Sequence, residues 1–237
     1  MNTIRTVLVA GSAILAIAGC SQSNAQGDNY AASQYANGAR QIEGSGNVVR
    51  REVAIGNFDR LELGGPMDVE IRQSATPGLV IMAEDNLIDL VEVEVEEQGG
   101  TLVLSTRGSF RTRIGLRAVA TVPDLESVSI TGSGDIDLAG WEADRLDLGI
   151  EGSGDIRLNG RVDTVRAKID GSGDIDLRSA DIREARASVN GSGDIRLGSL
   201  DRLTARINGS GDIDARDVRV VDQAVYGTGD IRIASAR

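Results

Sequence analysis

Histidine is absent from the 237 residues, and with it the commonest general base and the commonest metal ligand. A single cysteine excludes an intramolecular disulfide. Aromatic residues are only 3% and prolines number three, so the core must be aliphatic and the turns must be made without proline. Lys168 is the only lysine. The formal charge is −11. An acidic surface repels phosphates, and the chain has no basic footprint of the kind that binds nucleic acid. What is abundant is glycine, 30 residues of it, set among Ile, Val and Leu that alternate with polar residues. That is an all-β composition.

The glycines are ordered. Gly132-Ser133-Gly134-Asp135-Ile136-Asp137-Leu138 returns, with small changes, from Gly152, Gly171, Gly191, Gly209 and Gly227, in steps of 20, 19, 20, 18 and 18 residues. A fixed period near 20 marks a solenoid, in which each repeat is one supersecondary unit stacked on the next. Apolar residues keep constant offsets from the first glycine. Two before it stand Ile130, Ile150, Ile169, Val189, Ile207 and Val225; four before it stand Val128, Leu148, Ala167, Ala187, Ala205 and Gln223. Four after it stand Ile136, Ile156, Ile175, Ile195, Ile213 and Ile231, and six after it Leu138, Leu158, Leu177, Leu197, Ala215 and Ile233. Alternation puts these on one face of two short strands flanking a glycine corner. A looser third column holds Trp141, Val162, Ile182, Leu200 and Val218. Three inward sides per turn describe a β-helix with rungs about 4.8 Å apart.

The rival is a meander of antiparallel hairpins. The column five residues after the first glycine decides against it: Asp137, Arg157, Asp176, Arg196, Asp214 and Arg232 alternate in sign without exception. In a parallel stack they form one ladder, each Asp beside Arg; in a meander the alternation has no cause. Exposed pairs contribute only about 0–1 kcal/mol each, so the expected role of the ladder is to fix register.

A second polar column, Asp135, Asp155, Asp174, Asp194, Asp212 and Asp230, has one sign throughout. Carboxylates about 4.8 Å apart repel by about 1 kcal/mol even in water, and something must offset this. One reading is that each accepts amide bonds of the glycine corner. Another is calcium, since hard cations take oxygen ligands, although the spacing departs from the calcium-binding nonapeptide repeat. A third is a polysaccharide lyase or hydrolase, a chemistry that β-helices support, with Lys168 or the arginines acting. Nothing sets one rung apart as such a site, so the reading is non-catalytic, without metal or cofactor.

The half before Gly132 repeats loosely. Gly44-Ser45-Gly46-Asn47 echoes the corner, and Gly65-Pro66-Met67-Asp68 echoes it again, with Leu61 and Leu63 at the offsets of Val128 and Ile130. Val91, Val93 and Val95 alternate with Glu before Gly99-Gly100, which reads as a hairpin turn or a rung corner. In FDRLELGGPMDVEIRQ from Phe58, AEDNLIDLVEVEV from Ala83, TLVLS from Thr101 and VPDLESVSITGSGDI from Val122, the chain resembles the family described as "putative auto-transporter adhesin, head GIN domain". The resemblance covers about residues 45 to 237 and implies an adhesin-like module with no catalytic residues to transfer.

The first forty residues read differently. Arg5 precedes an apolar run, Thr6 to Ala18, too short to span a bilayer. Ile17-Ala18-Gly19-Cys20 resembles the bacterial lipobox, with the only cysteine at the position the motif demands. The resemblance implies lipid attachment at Cys20, and Ser21 after it implies sorting to the outer membrane. The expected organisation is a signal peptide (1–19), a flexible tether (20–40), degenerate rungs (41–123) and a regular parallel β-solenoid (124–237) of 18–21-residue rungs. The expected partners are the membrane, through Cys20, and an envelope protein or polysaccharide.

Overall fold

In the computed structural model of the protein, residues 41–96 and 100–236 are described; the signal segment, Cys20 and the tether lie outside them. The regular half forms the expected parallel solenoid. Strand β10 (Ser127–Ile130) is followed by β11 (Ile136–Ile150), β12 (Ile156–Ile169), β13 (Ile175–Val189), β14 (Ile195–Gly209), β15 (Ile213–Gly227) and β16 (Ile231–Ala236). For labels in chain order, β1 to β9 are Ile42–Glu43, Val48–Val53, Arg60–Leu63, Met67–Gln73, Gly78–Glu84, Val91–Val95, Thr101–Thr106, Phe110–Arg111 and Leu116–Val122. Each of β11 to β15 pairs in parallel with the next strand in the chain.

The inward columns are closed by this register. Ile136, Ile156, Ile175, Ile195 and Ile213 lie opposite one another, and all are buried. A further inward column lies six residues before each corner: Leu146, Val165, Ala185 and Leu203 are opposed and buried. On the third side Val162 lies opposite Ala143, and Trp141 opposite Gly160. The indole therefore enters the core one step out of the column that spacing assigned it. Gly160 lets the two backbones approach here, because a Cβ there would stand 2.0 Å from the Trp141 carbonyl oxygen. Each fully buried aliphatic contributes about 1.5–3 kcal/mol before chain entropy is set against it.

Rung order departs from chain order in the first half. β3 pairs in parallel with β10, placing Leu61 and Leu63 opposite Val128 and Ile130. β4 pairs with β11, placing Val69 opposite Ile136. On their other side β3 meets β7 and β4 meets β9, again in parallel. Residues 101–122 thus form a rung outside 60–73. Three strands then run antiparallel: β6 on β7, β5 on β9 and β2 on β5. The Gly99-Gly100 region is accordingly a hairpin connection, its residues 97–99 lying outside the described ones.

The Gly44 echo is not a rung. Its loop leads into antiparallel β2, and its glycine has another cause. Glu84 is fully buried, and a Cβ at residue 44 would stand 2.2 Å from its Oε2. Glu84 Oε1 accepts the Gly46 amide at 2.9 Å, and Oε2 accepts the Thr112 hydroxyl at 2.7 Å and the Arg113 amide at 3.3 Å. The Thr112 bond, with help from the two amides, outweighs burial and holds this carboxyl below its ordinary pKa. One ionised side chain at the end of β5 therefore ties two loop segments, around Gly46 and around Thr112, to the sheet.

Glycine at the corners is a steric requirement. A Cβ on Gly173 would lie 1.9 Å from the Gly154 carbonyl oxygen, whereas one on Gly149 would find nothing nearer than Ser129 Cβ at 3.8 Å. Gly173→Ala is expected to cost at least the ~1–3 kcal/mol of an overpacked core, and Gly149→Ala to be neutral or slightly stabilising. Urea denaturation of the two variants checks the contrast.

Candidate functional site

The corner ridge is built by one change of direction repeated. Just past the end of a strand, the carbonyl of the first glycine accepts the amide of the serine one rung on: Ser153, Ser172 and Ser192 donate to Gly132, Gly152 and Gly171, each at 3.0 Å. Where the next strand begins, the isoleucine amide turns the other way. Ile136, Ile156 and Ile175 donate to the carbonyls of Asp155, Asp174 and Asp194 in the following rung. The aspartate amide between them still needs an acceptor. The preceding rung supplies one from a side chain. Asp155, Asp174, Asp194, Asp212 and Asp230 donate their amides to Oδ1 of Asp135, Asp155, Asp174, Asp194 and Asp212 at 2.8–3.0 Å. The acceptor is thus the carboxylate of the neighbouring rung, and the carboxylate column becomes part of the backbone ladder.

The other oxygen of each carboxylate faces a guanidinium. Arg196 Nη1 and Nη2 meet Asp174 Oδ2 and Asp194 Oδ2, both at 2.8 Å. Arg232 bridges Asp212 at 2.6 Å and Asp230 at 2.8 Å. Arg157 bridges Asp155 at 3.2 Å and, more loosely, Asp135 at 3.6 Å. One arginine serves two rungs, so arginine is needed at every second rung only. The alternating column does stand in register, with Asp176 opposite Arg157 and Arg196. Its arginines nevertheless reach chiefly to the other column. Asp176 pairs with Arg178 instead, while Asp137 and Asp214 keep long contacts to Arg157 and Arg232 at 4.0 and 3.7 Å. The Asp230 amide and the Arg232 pair together hold Asp212 below the usual carboxylate range.

Alternation of sign breaks at the start of the ladder, because Glu70 lies opposite Asp137. Asp68, Glu70, Asp135 and Asp137 line an open groove of about 680 Å³ with Arg117 and Arg157. Burial raises the pKa of Asp137; Arg157 opposes this, and the charges of Asp135, Glu70 and Asp68 add to it. A second open cleft, of about 870 Å³, lies near Gln73 and is lined by six carboxylates, among them Asp124, Glu142 and Asp163, with Arg145 and Arg161. Among the described residues no cluster of three or more His, Cys, Asp or Glu has the grouping to hold a metal ion. Lys168 is ion-paired with Asp170, which also accepts the Asn190 amide group at 2.6 Å.

Along the ridge Ser133, Ser153, Ser172, Ser192, Ser210 and Thr228 are exposed, about 4.8 Å apart from rung to rung. Thr228 donates to Ser210 at 3.2 Å. The ridge can present a row of hydroxyls beside carboxylates that are already bonded. It offers no nucleophile with a base beside it. Sequence reasoning placed the columns but missed the sharing of each arginine. The signal was stoichiometric: six aspartates in one column and three arginines in the next.

Two outcomes follow. A double-mutant cycle on Arg196 and Asp174 is expected to give about 0.5–1 kcal/mol of coupling, and one on Arg196 and Asp214 much less; thermal melts at low salt decide it. For Asp137 the folded pKa lies above the unfolded one. The folded state therefore holds the extra proton, and stability falls as pH rises above about 4. Asp137→Asn is expected to raise the melting temperature at neutral pH, with the gain vanishing below about pH 4.

Comparison with known proteins gives the fold a lineage. The profile of the "putative auto-transporter adhesin, head GIN domain" family matches residues 57–235. No curated protein matches the sequence significantly. Among solved structures, a putative adhesin from Bacteroides fragilis superposes with a TM-score of 0.67 at 22% identity, covering 81% of this chain and 99% of that one. A putative adhesin from Parabacteroides merdae gives 0.55 at 19% identity, covering 81% and 98%. A putative lipid binding protein from Parabacteroides distasonis gives 0.50 at 24%, covering 82% and 99%. At these identities the structures show a shared fold. The profile match spans most of the chain, and the chain belongs to the "putative auto-transporter adhesin, head GIN domain" family.

Proposed function

We propose that the protein is a lipid-anchored module of the cell envelope, held in the outer membrane through Cys20, whose corner ridge binds an extended polymer without catalysis. The observation that carries this is equivalence. Five successive aspartate amides make the same bond to the carboxylate one rung back, so the corner backbone repeats unchanged from rung to rung. A repeated surface matches a repeated ligand, such as a polysaccharide chain or an extended segment of an envelope protein. Adhesin-like relatives support the binding role. Among the described residues no helix is long and apolar enough to cross a membrane. The anchor in this reading is the lipid on Cys20, which the lipobox-like Ile17-Ala18-Gly19-Cys20 supports.

The carboxylate oxygens are engaged by amides and guanidinium groups, which leaves the exposed hydroxyls of Ser133, Ser153, Ser172 and Ser192 as the outward polar row. Hydroxyls of fixed spacing hydrogen-bond sugar or peptide groups at little ordering cost, because the corners are rigid.

Cys20→Ser is expected to abolish acyl labelling and release the protein from the membrane fraction. Protease treatment of intact cells is expected to degrade the wild-type protein; full protection would place it on the periplasmic face and contradict an adhesin-like role. Ser153→Ala, Ser172→Ala and Ser192→Ala together are expected to weaken binding to isolated envelope polysaccharide strongly while leaving the melting temperature nearly unchanged. Unaltered binding by that triple variant would remove the ridge from the account.

A further inference from the structure

The alternating ladder keeps like charges apart over the regular rungs, and two outward columns on another side of the solenoid do not. They stand five and three residues before each corner on β12, β13 and β14. In register the first column reads Arg166, Arg186 and Thr204, and the second Lys168, Ser188 and Arg206. The four cations are exposed, and Ser188 and Thr204 are half-buried among them. Six neighbouring positions thus hold four cations, two hydroxyls and no carboxylate, on a chain with a formal charge of −11. Arg166 lies directly opposite Arg186, and like charges opposed across about 4.8 Å destabilise a sheet. Local rules of stability are broken most often where a surface has a task.

Carboxylates rim this patch without filling it. Arg166 pairs with Asp147 at 3.1 Å and Arg206 with Asp222 at 3.9 Å, one rung beyond either end. Lys168 pairs with Asp170 beside it. Glu184, two residues from Arg186 on the same strand, is held by Arg183 at 2.7 Å. Arg186, in the middle, makes no ion pair among the described residues. Exposed pairs of the rim kind are weak, so their cations can turn toward a ligand.

We propose that this patch binds an acidic saccharide through a sugar carboxylate, as in a uronate-containing chain, with Arg186 as the central contact. Arginine offers a carboxylate two parallel donors in one plane. Lys168 and Arg206 lie on either side of Ser188 in register, which leaves a hydroxyl between two cations for the sugar's own hydroxyls. Charge selects the ligand. Asp147, Asp170 and Asp222 offset three of the four cations, which leaves a place for a single negative charge. A doubly charged phosphate would meet the rim carboxylates, and a long polyanion would meet the rest of an acidic surface. The length agrees: Asp147 and Asp222 close the patch four rung steps apart, roughly 19 Å. None of the six positions carries an exposed apolar side chain to enter a bilayer. The site lies beside the corner ridge and does not depend on it.

The test is calorimetric titration of the full chain in non-ionic detergent at low salt. Trigalacturonate is expected to bind, and its neutral methyl ester is not. Arg186→Glu is expected to weaken binding about tenfold or more, the loss of a charge-assisted contact. Arg161→Glu, an exposed arginine on another side, is expected to change it only slightly. The melting temperature of Arg186→Glu is expected not to fall, since the repulsion from Arg166 is removed; should that variant unfold, Arg186→Gln provides the same readout. The Ser153, Ser172 and Ser192 alanine variant, which tests the ridge, is expected to keep this binding. Absence of trigalacturonate binding at millimolar concentration overturns the proposal, as does equal binding of the ester or equal loss with Arg161→Glu. Tighter binding of inorganic phosphate, or of micelles doped with phosphatidylglycerol, overturns it in favour of a phosphate or membrane site. Loss of binding in the serine variant would move the saccharide to the ridge and overturn it too.

Discussion

A backbone amide that would otherwise be orphaned at each corner finds a carboxylate one rung away, and the stacking of the solenoid depends on that contact. The amide of Asp194 on Oδ1 of Asp174, at 2.9 Å, is one case of a bond made five times. It is local in space and distant in sequence, so it forms only when the register is correct. The flanking glycines set the distance: with a carbonyl oxygen of the preceding rung at 1.9 Å from where a Cβ on Gly173 would stand, corners approach as closely as backbone permits. The short hydrophobic strands on either side then stack without offset.

Such a column concentrates negative charge, and the chain meets this with few cations. Each of Arg157, Arg196 and Arg232 lies between two carboxylates. Bonds of this kind between half-exposed groups are worth little singly and are screened by salt. Their larger effect is to exclude slipped registers. A shift by one rung would put an acidic residue where a guanidinium belongs, and like charges would face each other. Within the alternating column, like charges meet at Glu70 against Asp137, where the regular rungs join the irregular ones.

Much of this was legible in the sequence. The period, the parallel stacking and the buried columns followed from glycine spacing and alternation, because a repeat exposes its own register. Leu61 and Leu63 could be assigned to the columns of Val128 and Ile130 from offset alone. Three features could not be read. The stacking order β7, β3, β10 departs from chain order, and no local pattern records which distant strand a strand will meet. The buried Glu84 stands in an unremarkable stretch, and its partners, Gly46, Thr112 and Arg113, come from loops far apart in the chain. The reach of each arginine depends on side-chain length across the ridge, whereas column spacing describes only Cα positions.

A rigid, evenly spaced ridge on a family of adhesin-like solenoids is suited to recognising something equally regular, and its evenness rests on the carboxylate-to-amide ladder. Residue-resolved amide hydrogen exchange on an Asp174→Ala chain tests that ladder most directly. The account predicts that in the parent chain the amides of Asp155, Asp174, Asp194, Asp212 and Asp230 exchange as slowly as those of the buried strands, and that Asp174→Ala selectively accelerates Asp194. Rapid exchange of all five amides in the parent chain, or an Asp194 amide indifferent to the loss of the Asp174 carboxylate, would contradict it.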